Sequence, residues 1–561
     1  MRATEAGVPV FKRWIGICAG MALLCGPCAA APAADVPGRA SLPADGRITI
    51  TDHGYRDWGP ELVQYRLGPV QGPLGNRVLL GPEWLRYPQF FLDGTECLAY
   101  VAGTADGSGI MRISTRDGDH DLAIRSRVWS KPRTWVPKSP ATEPAESETS
   151  EEREARIGWW RQARFGLFLH WGPVSLKGTE ISWSRANSNP KCPNQGAIPV
   201  DVYDNLYKDF NPTNFDAGQW VSIARDGGMR YVVLTAKHCD GFLLWHSSAS
   251  SYSMAATPFK RDICAEFSDA ARKQGLRIGW YFSPMDWRDP DFRTQRNAVF
   301  IQRMQEELRE ILSNYGWIDL MWFDWDGHEP LYDQPNTYRI VKSLQPRIVI
   351  NNRLDLGKGD NDRKLLSSFA DYYTPEQHLG SYDDQHPWET CMTLGTQWAW
   401  KPNDTIKSVS EVVGILANCA GGDGNLLLNV GPMPDGRIEP RQVEVLKGVG
   451  DWLRRNGEST YGTRGGPFLP GNYGASTRKG NTIYLHILKW NGETITLPGL
   501  PKTVTEGALL TGGEMRYEQT ETALRITVAP QYRQNSDTVV KLQLNGSAMG
   551  IAPMATEQSG R

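Results

Sequence analysis

The chain lacks an excess of either charge: 61 Lys and Arg stand against 63 Asp and Glu, a formal charge of −2 over 561 residues. Nucleic-acid binders usually carry a basic patch and a high isoelectric point, so that class is excluded. Cysteine is scarce. Of nine, Cys18, Cys25 and Cys28 lie near the N-terminus, leaving Cys97, Cys192, Cys239, Cys264, Cys391 and Cys419. Those six show no short metal-type spacing, and so few in so long a chain do not make a disulfide scaffold, although they leave room for a bridge or two. No apolar run reaches the ~20 residues that a membrane-spanning helix needs.

The longest apolar run, Trp14 to Cys25, follows Lys12 and Arg13 and precedes CGPCAAAPAAD. A charged start, a short apolar stretch and small residues make residues 1–34 a signal peptide, cleaved after Ala31 or Ala34. The expected location is therefore periplasmic or extracellular, with no membrane attachment after cleavage.

Tryptophan is abundant, at 21 residues. Flat indoles fill cores, and they also stack on the C–H faces of sugars. The length suggests roughly three or four domains. Residues 41–135 alternate short β-type runs with Gly and Pro turns (RITITDH, QFFLDGT, CLAYVAG, IMRIST), which predicts a small all-β module of unassigned role. Residues 136–156, rich in Pro and Glu, read as a linker leading into a helix. From 157 to 464 strands alternate with amphipathic helices. The strands are FGLFLHW, YVVLTAKH, RIGWYFS, IDLMWFD, RIVINNR, FADYYTPE and NLLLNVG, and the helices include FDAGQWVSIARDGG, DICAEFSDAARKQG and VFIQRMQEELREILSNYG. This pattern predicts an α/β fold built as a (β/α) TIM-like barrel. Residues 465–548 lose the helical period and read as an antiparallel β-sandwich, and 549–561 as a flexible tail.

Residues at the C-terminal ends of barrel strands converge on one pocket. Here those ends carry His170, Lys237-His238-Cys239-Asp240, Trp287, Asp324, Arg353 and Glu376. Asp324 ends a fully apolar strand and is flanked by Trp322, Phe323 and Trp325. Two carboxylates in an aromatic pocket, with no metal-ligand spacing, suggest glycoside hydrolysis. Asp324 is the candidate nucleophile. Arg353 can keep it ionised, because an adjacent cation favours the carboxylate. Glu376 is the candidate acid/base, needing burial and the nearby Asp324 charge to hold its proton. Glu389, in Pro387-Trp388-Glu389-Thr390, is the alternative acid/base, and Glu180 a further one. His170 and His238 suit sugar hydroxyls, and Trp388, Trp398 and Trp400 suit the pocket mouth. GNLLLNVGP reads as a last, mainly structural strand.

ARFGLFLHWGPVS, FNPTNFDAGQWVSIARDGGMRYVVLTAKHCDGF, YGWIDLMWFD, INNR, YTPEQ, WET and GNLLLNVGPMPDGRI, in this order, resemble the α-L-fucosidases of glycoside hydrolase family 29. The resemblance spans about residues 157 to 465. It implies a retaining exo-glycosidase that releases terminal α-L-fucose from a fucosylated oligosaccharide or glycoconjugate. It also implies a (β/α)-type barrel followed by a β-sandwich, and no cofactor or metal; an oligomer is compatible with it. The family's nucleophile falls on Asp324 and its acid/base on Glu376. The substrate-binding positions fall on His170, Glu180, Trp183, His238 and Arg353, with Trp287 and Trp398 as further candidates. One departure stands out. The family reads K-H-H-D-G where this chain has Cys239 in place of the second histidine. Cysteine is a weak donor and acceptor, so a related sugar such as an α-L-galactoside is an alternative substrate. A catalytically silent carbohydrate-binding protein is the alternative outside catalysis.

Overall fold

The computed structural model describes residues 148–186, 196–324, 332–354 and 370–556, and the backbone of seven strands between residues 47 and 125. The expected signal peptide and linker residues 136–147 lie outside the described residues, as do Cys192 and Trp325. Of the seven early strands, Gln89–Leu92, Thr95–Gly103, Ser108–Thr115 and Gly118–Arg125 form an antiparallel meander, with Arg77–Val78 added in parallel at one edge.

Helix α1 (Ser150–Ala163) starts seven residues before the expected domain start at 157. Thr149 caps it: its hydroxyl accepts from the Glu152 N–H while the Glu152 carboxylate returns to the Thr149 N–H. This capping box satisfies two of the backbone donors that a helix start leaves without partners. The strands β1 (Phe165–Leu169), β2 (Tyr231–Lys237), β3 (Arg277–Phe282), β4 (Leu320–Phe323), β5 (Val349–Ile350), β6 (Glu389–Thr393) and β7 (Asn425–Val430) form one parallel sheet in the order β5-β4-β3-β2-β1-β7-β6. Between them run α2 (Ala217–Asp226), α3 (Ile263–Lys273), α4 (Asn297–Ser313), α5 (Gln334–Leu344) and α6 (Val409–Gly421), followed by α7 (Pro440–Asn456). α2 and α3 are followed by Gly228 and Gly275 at positive φ, where a side chain is disfavoured.

The expected strand FADYYTPE is not a laddered strand. It touches both free edges of the sheet through single parallel bridges, Asn351 to Tyr372, Tyr373 to Trp388 and Glu376 to Cys391. It therefore occupies the eighth position and joins β5 to β6. Pro375 has no N–H to offer a ladder, which helps explain the sparse pairing. β6 was not anticipated: Glu-Thr-Cys-Met-Thr lacks the apolar run of the other strands, yet all five residues are buried.

Successive side chains in a strand point to opposite faces. Phe168, Tyr231, Val233, Tyr281, Leu320 and Trp322 fill the barrel interior, while Leu167, Val232, Leu234, Ile278, Met321 and Phe323 pack toward the helices. Gly166 lies on the inward phase beside Tyr231. A Cβ there would meet the Tyr231 ring at 2.4 Å, so the tyrosine occupies space that only glycine leaves.

Beyond the barrel, Arg464–Gly465, Gly474–Lys479, Thr482–Ile487, Thr538–Leu544 and Val504–Leu509 make one antiparallel sheet, and Thr494–Pro498, Ala523–Val528 and Met515–Gln519 another. Leu485 and Val540 of the first share a core with Leu497 and Ile526 of the second. The expected flexible tail is packed as far as Thr556. Ile551 joins this core and Met554 exchanges backbone hydrogen bonds with Pro467 and Leu469, because the segment supplies apolar side chains and a strand-like backbone to the sandwich edge.

Asp423, just before β7, ties barrel to sandwich. Its carboxylate accepts from Arg164 at 2.6 Å, from Arg161 at 3.4 Å, from Arg464 Nε at 2.9 Å and from the Gly465 N–H at 3.0 Å. Burial alone would raise its pKa, but the Arg164 charge and the Arg464 hydrogen bond outweigh that and hold it at about 2. This carboxylate's folded pKa is depressed from 3.8, so its stability contribution is present above about pH 4 and lost as pH falls toward 2. The shift corresponds to about 2 kcal/mol. Asp423→Asn, which strands three arginines around a neutral group, is expected to cost about 3–5 kcal/mol. Acid and thermal denaturation followed by circular dichroism test both expectations: the wild-type stability should fall between about pH 4 and 2, and that part of the loss should vanish in the variant.

Candidate active site

The strand-end residues meet as the barrel geometry requires. Asp324 follows Leu320 and Trp322 on the inward phase of β4, and Arg353 follows Val349 two steps along from Asn351. Thr374 and Glu376 follow Tyr372 in the eighth position. Arg353 joins them. Its Nη1 donates to Asp324 Oδ1 at 2.6 Å and its Nη2 to Glu376 Oε2 at 2.9 Å. Its Nε donates to Thr374 Oγ1 at 2.7 Å, and the guanidinium lies over the Trp322 ring, 4.5 Å from the centroid. One rigid cation thus sets the spacing of two carboxylates. Their side chains are 22% and 29% exposed, so both are reachable, and the enclosure expected of Glu376 is only partial.

Tyr281, which sequence reasoning missed, donates its hydroxyl to Asp324 Oδ2 at 2.6 Å. The signal was available: Tyr281 sits one residue before the end of β3, on its inward phase with Gly279. Burial alone would raise the Asp324 pKa. The Arg353 charge, the Tyr281 hydroxyl and further hydrogen bonding outweigh it, and Asp324 is held below the ordinary carboxylate value. A carboxylate kept ionised beside an open cleft is suited to act as a nucleophile.

His170 continues the inward phase of β1 after Phe168. His238 reaches the same interior by a different route. Tyr281 pairs with Thr235 but Phe282 pairs with Lys237, so the β2 register shifts at this point. This irregularity reverses the phase of β2: Lys237 turns out to Glu307 of α4, at 2.6 Å, and His238 turns in. The two imidazole centroids are 5.7 Å apart, and the His238 ring lies parallel to Tyr281 at 5.3 Å. Burial lowers the pKa of both, to about 3 for His170 and about 4 for His238, so both are neutral near pH 7. Trp398 leans against His170, centroids 4.8 Å apart, and Trp183 meets Trp287 edge-on at 5.0 Å.

Three expected site residues have other duties. Glu180 is committed to backbone: it accepts from the N–H groups of Ile181 (3.0 Å), Trp398 (2.8 Å) and Ala399 (3.1 Å), and so holds the Trp398 segment beside His170. The buried Cys239 thiol is engaged with Ser283, 3.3 Å from its Oγ. Trp388 is fully buried, with its indole N–H on the Gly422 carbonyl.

Glu389 is the clearest correction. It begins β6, at the end of the barrel opposite the pocket, and is fully buried. Its carboxyl accepts from Trp160 Nε1 and Trp322 Nε1, both at 3.1 Å, and from the Tyr231 hydroxyl. Burial pushes its pKa up to about 7 despite these donors. A group so enclosed cannot protonate a leaving oxygen at the strands' other end. A barrel interior lined with indoles has the same local composition as a pocket mouth, which is why the sequence around Glu389 resembles a sugar site.

Glu389→Gln replaces one of the two acceptor oxygens with an NH2 group that cannot receive an indole N–H. It is expected to cost about 1–3 kcal/mol of stability. Added azide should not restore any activity it loses. Thermal melting and assays with and without azide measure the two effects, and azide rescue would return Glu389 to the chemistry.

The sequence profile described as Alpha-L-fucosidase matches residues 136–458. Plasma alpha-L-fucosidase of Homo sapiens is 31% identical over 401 residues, covering 65% of this chain and 84% of that protein. Among solved structures, alpha-L-fucosidase isoenzyme 1 from Paenibacillus thiaminolyticus is 33% identical with a TM-score of 0.64, over 70% of this chain and 99% of that one. A family 29 alpha-L-fucosidase from Bacteroides thetaiotaomicron, a trapped covalent intermediate in complex with 2-fluoro-fucosyl fluoride, is 26% identical. Its TM-score is 0.62, over 72% of this chain and 98% of that one.

Proposed function

This chain belongs to the alpha-L-fucosidase family of retaining glycoside hydrolases, and from that premise we propose which of its residues carry out the release of fucose. Asp324 is the nucleophile and Glu376 the acid/base. The observation that carries this reading is the single Arg353 guanidinium bonded to both carboxylates at the mouth of the barrel.

In the first step Asp324 attacks the anomeric carbon of a terminal α-L-fucosyl unit while Glu376 gives its proton to the departing oxygen. The attack turns Asp324 into an ester and removes its charge. Arg353 then keeps Glu376 as its remaining carboxylate partner and holds it in place for the second step. Glu376 takes a proton from water, and the water oxygen displaces Asp324 with overall retention. Tyr281 and Arg353 serve Asp324 as a leaving group in that step, because they stabilise the carboxylate that re-forms.

The substrate is a fucosylated oligosaccharide or glycoconjugate bound through its terminal sugar. His170, His238, Trp183, Trp287 and Trp398 surround that sugar and the group to which it is joined. We assign the chain to the periplasm or extracellular space on the strength of residues 1–34, and the N-terminal sequence of secreted protein would test this.

Asp324→Ala and Glu376→Ala are each expected to lower kcat on an aryl α-L-fucoside by roughly 10²–10⁴-fold. With azide, Asp324→Ala should yield the β-fucosyl azide and Glu376→Ala the α-anomer. Full activity in either variant would remove that residue from the mechanism, and faster turnover of the matching α-L-galactoside would reassign the sugar. Removing the cation by Arg353→Met should raise the Asp324 pKa and move the acidic limb of the kcat/KM profile to higher pH. An unmoved limb would show that Arg353 does not control the nucleophile's charge.

A further inference from the structure

The two pocket histidines are held by hydrogen-bond networks of opposite polarity. His170 Nδ1 lies 2.7 Å from Asn429 Oδ1, and Asn429 Nδ2 donates to the Trp398 carbonyl at 2.7 Å. A backbone carbonyl only accepts, so the Asn429 amide cannot be turned over without setting two oxygens against each other. Asn429 Oδ1 must therefore face His170, and His170 must carry its proton on Nδ1. Its Nε2 is left as a bare acceptor.

His238 Nδ1 lies 2.5 Å from Ser182 Oγ. That oxygen already accepts the Asp240 N–H at 2.9 Å. Ser182 is completely buried, and the described residues offer its hydroxyl proton one acceptor, His238 Nδ1. Leaving a buried donor unmade is costly, so the proton is given to His238, whose own proton then sits on Nε2. Ser182 is held for this task. It adopts a left-handed backbone (φ 55°), and its N–H is fixed on the Tyr203 hydroxyl, which donates in turn to Asp240 at 2.7 Å.

We propose that Asn429 and Ser182 are positioning residues that lock His170 and His238 in opposite neutral tautomers, so that the pocket presents one nitrogen acceptor, His170 Nε2, beside one N–H donor, His238 Nε2. The burial that keeps both imidazoles neutral gives each a single proton to place. The pair recognises hydroxyl used in both senses, giving its hydrogen to His170 and receiving one from His238. An oxo group or ether satisfies half of the site. This inference rests on the sugar-binding reading above and adds to it the direction of each hydrogen bond.

Neutron diffraction from crystals of the full chain grown in D2O reads the tautomers directly. The expected result is deuterium on His170 Nδ1 and His238 Nε2, with the other nitrogen of each ring bare. Deuterium on His170 Nε2 or on His238 Nδ1 overturns the proposal. Asn429→Ala and Ser182→Ala should each raise KM for an aryl α-L-fucoside by about tenfold, the scale of one hydrogen bond, with a smaller change in kcat. Unchanged KM with lowered kcat in folded variants also overturns it. The diffraction result needs no variant to fold. Reversed deuterons in an enzyme that hydrolyses fucosides refute the tautomers alone; the expected deuterons without hydrolysis refute the proposed reaction alone.

Discussion

The architecture of the pocket depends on one guanidinium. Arg353 leaves the end of β5 and lies on the face of Trp322. It is tied to Thr374, and from there it reaches Asp324 on one side and Glu376 on the other. A planar fork fixes distance as well as charge, which a lysine at the same place could not do. Two carboxylates this close would otherwise repel and draw one another toward protonation. With the cation between them, Asp324 stays ionised. The aromatic floor serves the same end, since Trp322 is itself held in place from below by Glu389.

The barrel interior therefore divides by depth. Deep inside, Glu389 draws together Trp160, Trp322 and Tyr231 where water does not reach, and its burial raises its pKa. Near the mouth, Asp324 is partly open, paired and ionised. The two acids lie in the same barrel with opposite proton affinities: burial outweighs the indole and phenol donors around Glu389, whereas a cation and a tyrosine outweigh burial at Asp324. Histidines in the upper layer are neutral for the first reason and oriented by Asn429 and Ser182.

The part of this that was legible in the sequence is set by what a two-residue period can convey. Asp324, Arg353 and His170 continue the inward phase of apolar strands, and reading those strands placed all three at the mouth. The same period, applied further, would have found Tyr281 on β3 and Asn429 on β7, whose inward face reads Asn425, Leu427, Asn429. His238 was legible as a strand-end residue but not by this period, since it points inward because the β2 register shifts. Nor could the period have found Ser182, whose role depends on a left-handed backbone inside an irregular loop. Glu389 misled for a different reason: acidic and aromatic residues close in sequence describe a sugar site and a polar barrel interior equally well. The folding of the last residues onto the sandwich was hidden because a short apolar segment such as Gly550-Ile551-Ala552-Pro553-Met554 carries no period at all.

The nucleophile and the acid/base stand on different kinds of support. Asp324 ends a strand laddered to neighbours on both sides, so its position is a property of the whole sheet. Glu376 stands on a stave whose backbone hydrogen bonds to residues 387–391 are interrupted at Pro375, which has no N–H to give. That proline leaves a gap in the pairing which β4 lacks, and a shift of one residue in β4 would turn every inward side chain to the wrong face. The barrel thus has one evolvable wall. Along that wall a lineage could relocate its proton donor, and with it the room left for a leaving group, while the bond-forming carboxylate stayed where the sheet put it.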